Sequence, residues 1–145
     1  MELYGNKTSA NADMRLYRAM SSGDLPAAWL IKNISKENPA SLFNRGLCLF
    51  GLGEWEKSLA ELKRAEQLLG SPSEIDISER TFFIKALSES ERLYLLPLDP
   101  ESSADCARYA LIRVRWLEAL CLDNLGRNAE AAAIKRFLSQ YKIEL

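Results

Sequence analysis

The chain has 145 residues, 48% of them hydrophobic and 27% charged, a balance that suits one domain with a real core and excludes a disordered segment. Its 19 basic and 20 acidic residues are interleaved and give a formal net charge of −1, so the basic footprint of a nucleic-acid binder is missing. There is no histidine, which removes the commonest general base and metal ligand, and the three cysteines form no C-x-x-C pair, against a disulfide framework or a metal site.

Residues 1–10 are polar, with Gly5, Asn6 and Ser9, and are expected to be a loose lead-in to a single helical domain over 11–145. The opening MELYGNKTSANAD lacks a basic-then-apolar signal pattern, and no apolar run approaches membrane-spanning length, so the expectation is a cytoplasmic protein with no membrane partner. A first helix is predicted from about 11, through Met14, Tyr17, Arg18 and Met20, to the break at Ser21-Ser22-Gly23-Asp24. A second opens at Leu25 with Pro26 in its first turn and is expected to end near Glu37. Asn38 as N-cap and Pro39 at the first helical position start a third helix, which runs to about Leu52. Past Gly53, a fourth spans about 54–69, with Trp55, Leu59, Leu62, Ala65 and Leu69 on one face and Gly70 at its end.

The capping box Ser71-Pro72-Ser73-Glu74 predicts a fifth helix carrying Ile75, Phe82, Phe83, Leu87 and Leu93. Leu96-Pro97-Leu98-Asp99-Pro100 ends it, and Asp99-Pro100 is expected to start a sixth over about 101–124. Leu125-Gly126 turns the chain into a final helix over about 128–141. The count is about seven helices and no strand, and connections of two to six residues favour antiparallel neighbours.

Residues 46–60, GLCLFGLGEWEKSLA, recur as 119–133, ALCLDNLGRNAEAAA, with six of fifteen positions identical, Cys48/Cys121 and Gly53/Gly126 among them. Internal repetition of helical hairpins is the mark of a solenoid. The stretch from Pro39 to Gly70 resembles a tetratricopeptide repeat: Leu42 and Leu49 fall at large positions, Gly46, Ser58 and Ala65 at small ones, and Gly53 in the turn. Residues 112–140 resemble the motif more weakly, through Ala119, Leu122, Gly126 and Ala131, and residues 9–38 through Ala19, Gly23 and Ala28. The resemblance implies an all-α, right-handed superhelix of antiparallel helix hairpins, with the fifth and sixth helices as a long hairpin before the C-terminal pair. Whether residues 72–111 are an inserted hairpin or a degenerate repeat stays open.

The resemblance further implies a concave groove lined by first helices. The groove candidates on this chain are Tyr17, Phe43, Asn44, Leu47, Phe50, Arg113 and Trp116, with packing against the fifth helix or the long hairpin as the alternative for the aromatics. A carboxylate clamp for acidic chain termini is rejected, because only Asn44 and Arg113 fall at matching places and Asp13 stands where a cation is needed. No catalytic, cofactor-binding or metal-binding residue is expected: the serines have no histidine to activate them, and Gly51-x-Gly53 is a repeat turn. The implied function is a non-enzymatic adaptor or small chaperone holding a peptide or protein segment, with no cofactor and no nucleic acid. The alternative is a homo-oligomerisation module, a homodimer formed through a repeat face. Cys48 and Cys121, each flanked by leucines, are expected to be buried and unreactive, and Cys106 accessible.

Overall fold

The computed structural model describes residues 2–70, 96–101 and 107–140. These residues form six helices and no strand: α1 (Glu2–Ser21), α2 (Leu25–Leu30), α3 (Pro39–Gly51), α4 (Trp55–Leu69), α5 (Ala107–Asn124) and α6 (Asn128–Ser139). The predicted helix over 75–94 and the capping box before it lie outside the described residues, as does Cys106.

Three inter-helix turns share one geometry. In each, a glycine with positive φ follows the helix (Gly23 +75°, Gly53 +78°, Gly126 +74°), and the next residue's N–H reaches back five residues. Those bonds are Asp24 N–H to Ala19 C=O, Glu54 N–H to Leu49 C=O and Arg127 N–H to Leu122 C=O, each 2.9 Å. This is the Schellman closure, which satisfies orphan carbonyls and requires a residue tolerant of the left-handed region. Five residues past each glycine stands a small buried residue, Ala28, Ser58 or Ala131, where the second helix comes close to the first. α1/α2, α3/α4 and α5/α6 are therefore three hairpins with one turn design.

The cysteines repeat the equivalence. Cys48 Sγ lies 3.8 Å from the Leu25 carbonyl of α2, and Cys121 Sγ donates at 3.4 Å to Ser58 Oγ of α4. Each thus packs on the second helix of the preceding hairpin; both are buried and unbonded to each other, as expected.

Packing is most extensive between α3 and α4, then α4 and α5, then α5 and α6, while α3 also touches α5. α3 is buried from Ala40 to Leu49 except for Arg45, and α5 from Ala110 to Leu122 except for Arg115 and Leu120. Helices covered nearly all round are the centre of a molecule. Phe43, Leu62, Val114, Leu117 and Leu138 belong to one core cluster, and Leu16, Ala28 and Cys48 form a smaller one that seats the first hairpin on α3.

Two expectations change. Residues 2–10, expected to be a loose lead-in, are the first half of α1; once a turn is nucleated over the stripe Ala12, Asp13 and Leu16, adding residues N-terminally costs little despite Gly5 and Asn6. α2 ends at Leu30 rather than near Glu37, because side chains from elsewhere take over its backbone partners. Arg45 donates to the Ile31 carbonyl at 2.8 Å, Arg64 to that of Lys36 at 3.1 Å, and the buried Asp13 carboxylate accepts from Ser35 N–H at 2.8 Å, with Asn33 at φ +65° in between.

Candidate functional site

Three of the residues expected to line a groove, Phe43, Asn44 and Arg113, converge on a short segment of the same chain. Asn38 opens α3 as its N-cap, its Oδ1 accepting from Ala40 N–H at 3.0 Å and Ser41 N–H at 3.4 Å. Its Nδ2 is left to point outward and donates to the Pro100 carbonyl at 3.0 Å. Asn44 lies six residues along α3, fully buried. Its amide brackets Leu98, with Nδ2 donating to the carbonyl at 2.8 Å and Oδ1 accepting from the N–H at 2.7 Å. Arg113 of α5, 1% exposed, donates through Nη2 to the Leu96 carbonyl and through Nη1 to Tyr109 Oη at 3.0 Å.

The three donors read the carbonyls of residues 96, 98 and 100. A contact at every second residue is the period of an extended chain, and an N–H and C=O of one residue facing the same side is what an extended residue presents. Prolines at 97 and 100 have no N–H to offer, which suits a segment gripped from one edge. Leu98 inserts its side chain into the main core, while Leu96 stays half exposed. All four bonds go to backbone atoms, so the polar recognition is of the backbone, with the Leu98 side chain as apolar anchor.

Aromatic rings complete the cradle. The Arg113 guanidinium lies 5.1 Å from the Phe43 ring centroid and 5.6 Å from that of Tyr109, a cation–π arrangement that also keeps a buried charge partnered.

Of the groove candidates, Phe43, Asn44, Leu47, Arg113 and Trp116 are buried, and Tyr17 and Phe50 are partly exposed. Asn44, Phe43 and Arg113 meet at the 96–101 strap. Leu47 and Trp116 belong to the main core, and Phe50 packs on it. Tyr17 is on α1, partly exposed. The strap itself escapes a sequence reading, in which Leu96–Pro100 is only a helix breaker and Asn38 only a cap. Leucines either side of Pro97, with Pro100 following, were the available signal.

A second polar cluster lies between α4 and α5. Arg115 Nη2 pairs with Glu66 Oε1 at 2.7 Å and its guanidinium sits 4.6 Å from the Phe137 ring centroid. Glu118 is 1% exposed; burial foremost, then the neighbouring Glu66, push its carboxyl up to about 8, so it is protonated at neutral pH. Burial likewise raises both thiols, that of Cys121 to about 11. Among the described residues no three His, Cys, Asp or Glu side chains are grouped to hold a metal ion, and no helix is long and apolar enough to cross a membrane.

No family model matches the chain, and no curated protein or solved structure matches it either.

Proposed function

We propose that the chain is a tetratricopeptide-like solenoid, a right-handed superhelix of three hairpins, and acts as a non-enzymatic protein-interaction module, an adaptor or small chaperone that holds an extended protein segment. The observation carrying this reading is the bracket of Asn44 on Leu98, flanked by Asn38 and Arg113 on the carbonyls either side. Buried side-chain amides that grip both polar groups of a peptide unit fix an extended backbone while leaving its sequence free. In the free chain the strap occupies this site, and a partner segment engages by taking its place on α3 and α5.

A synthetic peptide spanning residues 95–101 tests the reading. Titrated into isotope-labelled protein, it should shift the Asn44 side-chain amide and Arg113 guanidinium signals in a saturable way, whereas the same peptide N-methylated at the Leu98 amide, which removes the N–H that Asn44 accepts, should not. If both sets of signals stay unmoved at millimolar peptide, the groove accepts only its own strap and the reading fails.

Self-association is the second reading, favoured by Leu52 and Leu68, which stand 43% exposed on the α3–α4 hairpin. Light scattering separates the two: a dimer persisting at micromolar concentration and lost on Leu68→Ser supports it, and a monomer removes it.

A further inference from the structure

A second surface lies on α2, the 31–37 segment and the edges of α3 and α4. Ala28 turns inward against Leu16 and Cys48, which sends its neighbours Trp29 and Leu30 outward. Leu30 is 72% exposed and Trp29 37%. A large aliphatic side chain so exposed adds nothing to the core, and an adjoining aromatic makes the pair a contiguous apolar spot.

Cations surround that spot. Lys32 Nζ lies 5.6 Å and the Arg45 guanidinium 5.1 Å from the Trp29 ring centroid. Arg45 is anchored by Nη1 on the Ile31 carbonyl and Arg64 by Nε on the Lys36 carbonyl, so four cations, Lys32 and Lys36 included, stand on or against the 31–37 segment that follows Leu30. None of the four forms an ion pair among the described residues. Glu37 and Glu61, the acids of these segments, pair with none of them. At the other end, Arg115, Arg127 and Lys135, on α5, the turn and α6, are paired with carboxylates, and Arg136 is in no ion pair among the described residues. Among the described residues, cations without an ion pair thus stand on the segment that follows Leu30, the most exposed large hydrophobic side chain described.

We propose that Trp29, Leu30, Lys32, Lys36, Arg45 and Arg64 dock an acidic segment of a partner protein, one that places carboxylates beside a large apolar side chain. Arg45, fixed through one nitrogen and stacked on Trp29, keeps further N–H groups for a carboxylate, and its fixed position reduces the ordering that binding demands. Leu30 and the open edge of Trp29 supply apolar contact at the centre, with the lysines as rim. A lipid surface suits the spot less: α2 is six residues long, too short to lay an amphipathic face into a bilayer. A nucleic acid suits it less too, since Lys32 and Arg45 sit over the ring on which a base would stack.

The test is fluorescence anisotropy with the full chain and a short labelled peptide of Asp and Glu around two leucines, beside the same peptide with Lys in place of the acids. The acidic peptide should bind saturably and the lysine peptide should not. Affinity should fall about tenfold or more in Lys32→Glu/Lys36→Glu and in Leu30→Ser, exposed positions whose variants should keep the wild-type circular dichroism. Anionic phosphatidylserine vesicles and a single-stranded oligonucleotide, measured in parallel, should bind more weakly and without dependence on Leu30. Equal binding of both peptides, indifference to these variants, or preference for vesicle or oligonucleotide overturns the assignment.

Discussion

Among the described residues, Glu118 is the side chain whose chemistry departs furthest from its free form. Its carboxyl titrates near 8 in the folded chain against 4.5 unfolded, because burial penalises the charge and Glu66 beside it adds repulsion. Between those values the native state holds a proton that the unfolded state has released, so stability falls as pH rises from about 4.5 to about 8 and levels off above. Thermal unfolding should accordingly show a higher Tm at pH 5 than at pH 8, and Glu118→Gln should remove most of that difference. An unchanged pH profile in the variant assigns the dependence elsewhere. The glycines Gly53 and Gly46 matter for opposite reasons. A Cβ at Gly53 meets open space, so Gly53→Ala pays only for the left-handed backbone, about 1–2 kcal/mol, and Gly53→Asn should cost less. A Cβ at Gly46 would stand 3.0 Å from Leu62 Cδ2 and Cγ, in the tightest helix pair of the fold. There Gly46→Ala should cost about 1–3 kcal/mol despite its better helix propensity, and Asn should be worse rather than better. Denaturant unfolding of these variants distinguishes strain from crowding.

Among the elements, the strap is the one whose central residue, Leu98, takes both of its backbone hydrogen bonds from a single side chain. Asn44→Ala leaves the Leu98 N–H and C=O buried without partners, which should cost about 2–4 kcal/mol. Asn44→Asp keeps the acceptor for the N–H but sets a carboxylate oxygen against the Leu98 carbonyl, so it should not rescue. Urea midpoints at constant slope test both, and a loss below about 1 kcal/mol in each variant would show that the strap is seated by the Leu98 side chain instead. The 31–37 segment has the opposite character. Its backbone partners come from α1, α3 and α4, so it is a product of packing and has no local helical reason to hold its shape.

At the scale of the molecule, the hairpins are unequal. α3 to α6 share one large core, whereas α1 and α2 join α3 through a small cluster around Leu16, Ala28 and Cys48. A stack of units in which each contacts mainly its neighbours opens from the end with the weaker interface. Native-state hydrogen exchange should therefore find amides of α1 and α2 opening at lower free energy than those of α3 and α5; a single common value would make the chain one cooperative unit. The thiols offer a parallel readout. Cys121, between α4 and α5, should resist a thiol reagent until global unfolding, and Cys48, under α2, should react earlier, as the first hairpin opens.

The sequence by itself determined the elements whose causes are local. Asn38-Pro39, the glycines at 53, 70 and 126 and the apolar spacing of α4 are backbone and capping signals that act within a few residues, so the boundaries of α3, α4 and α6 stand close to where they were read. The recurrence of residues 46–60 at 119–133 likewise carried the equivalence of two turns and of Cys48 and Cys121. Tertiary structure alone decided the rest. α2 stopped short because Arg45 and Arg64 captured carbonyls a helix would have used, which a helical pattern in 25–37 does not encode. Phe43, Asn44 and Arg113 were legible as a set facing one way, but what they face was not: the strap lies 54 residues from Asn44 along the chain, and only folding brings its backbone to that amide.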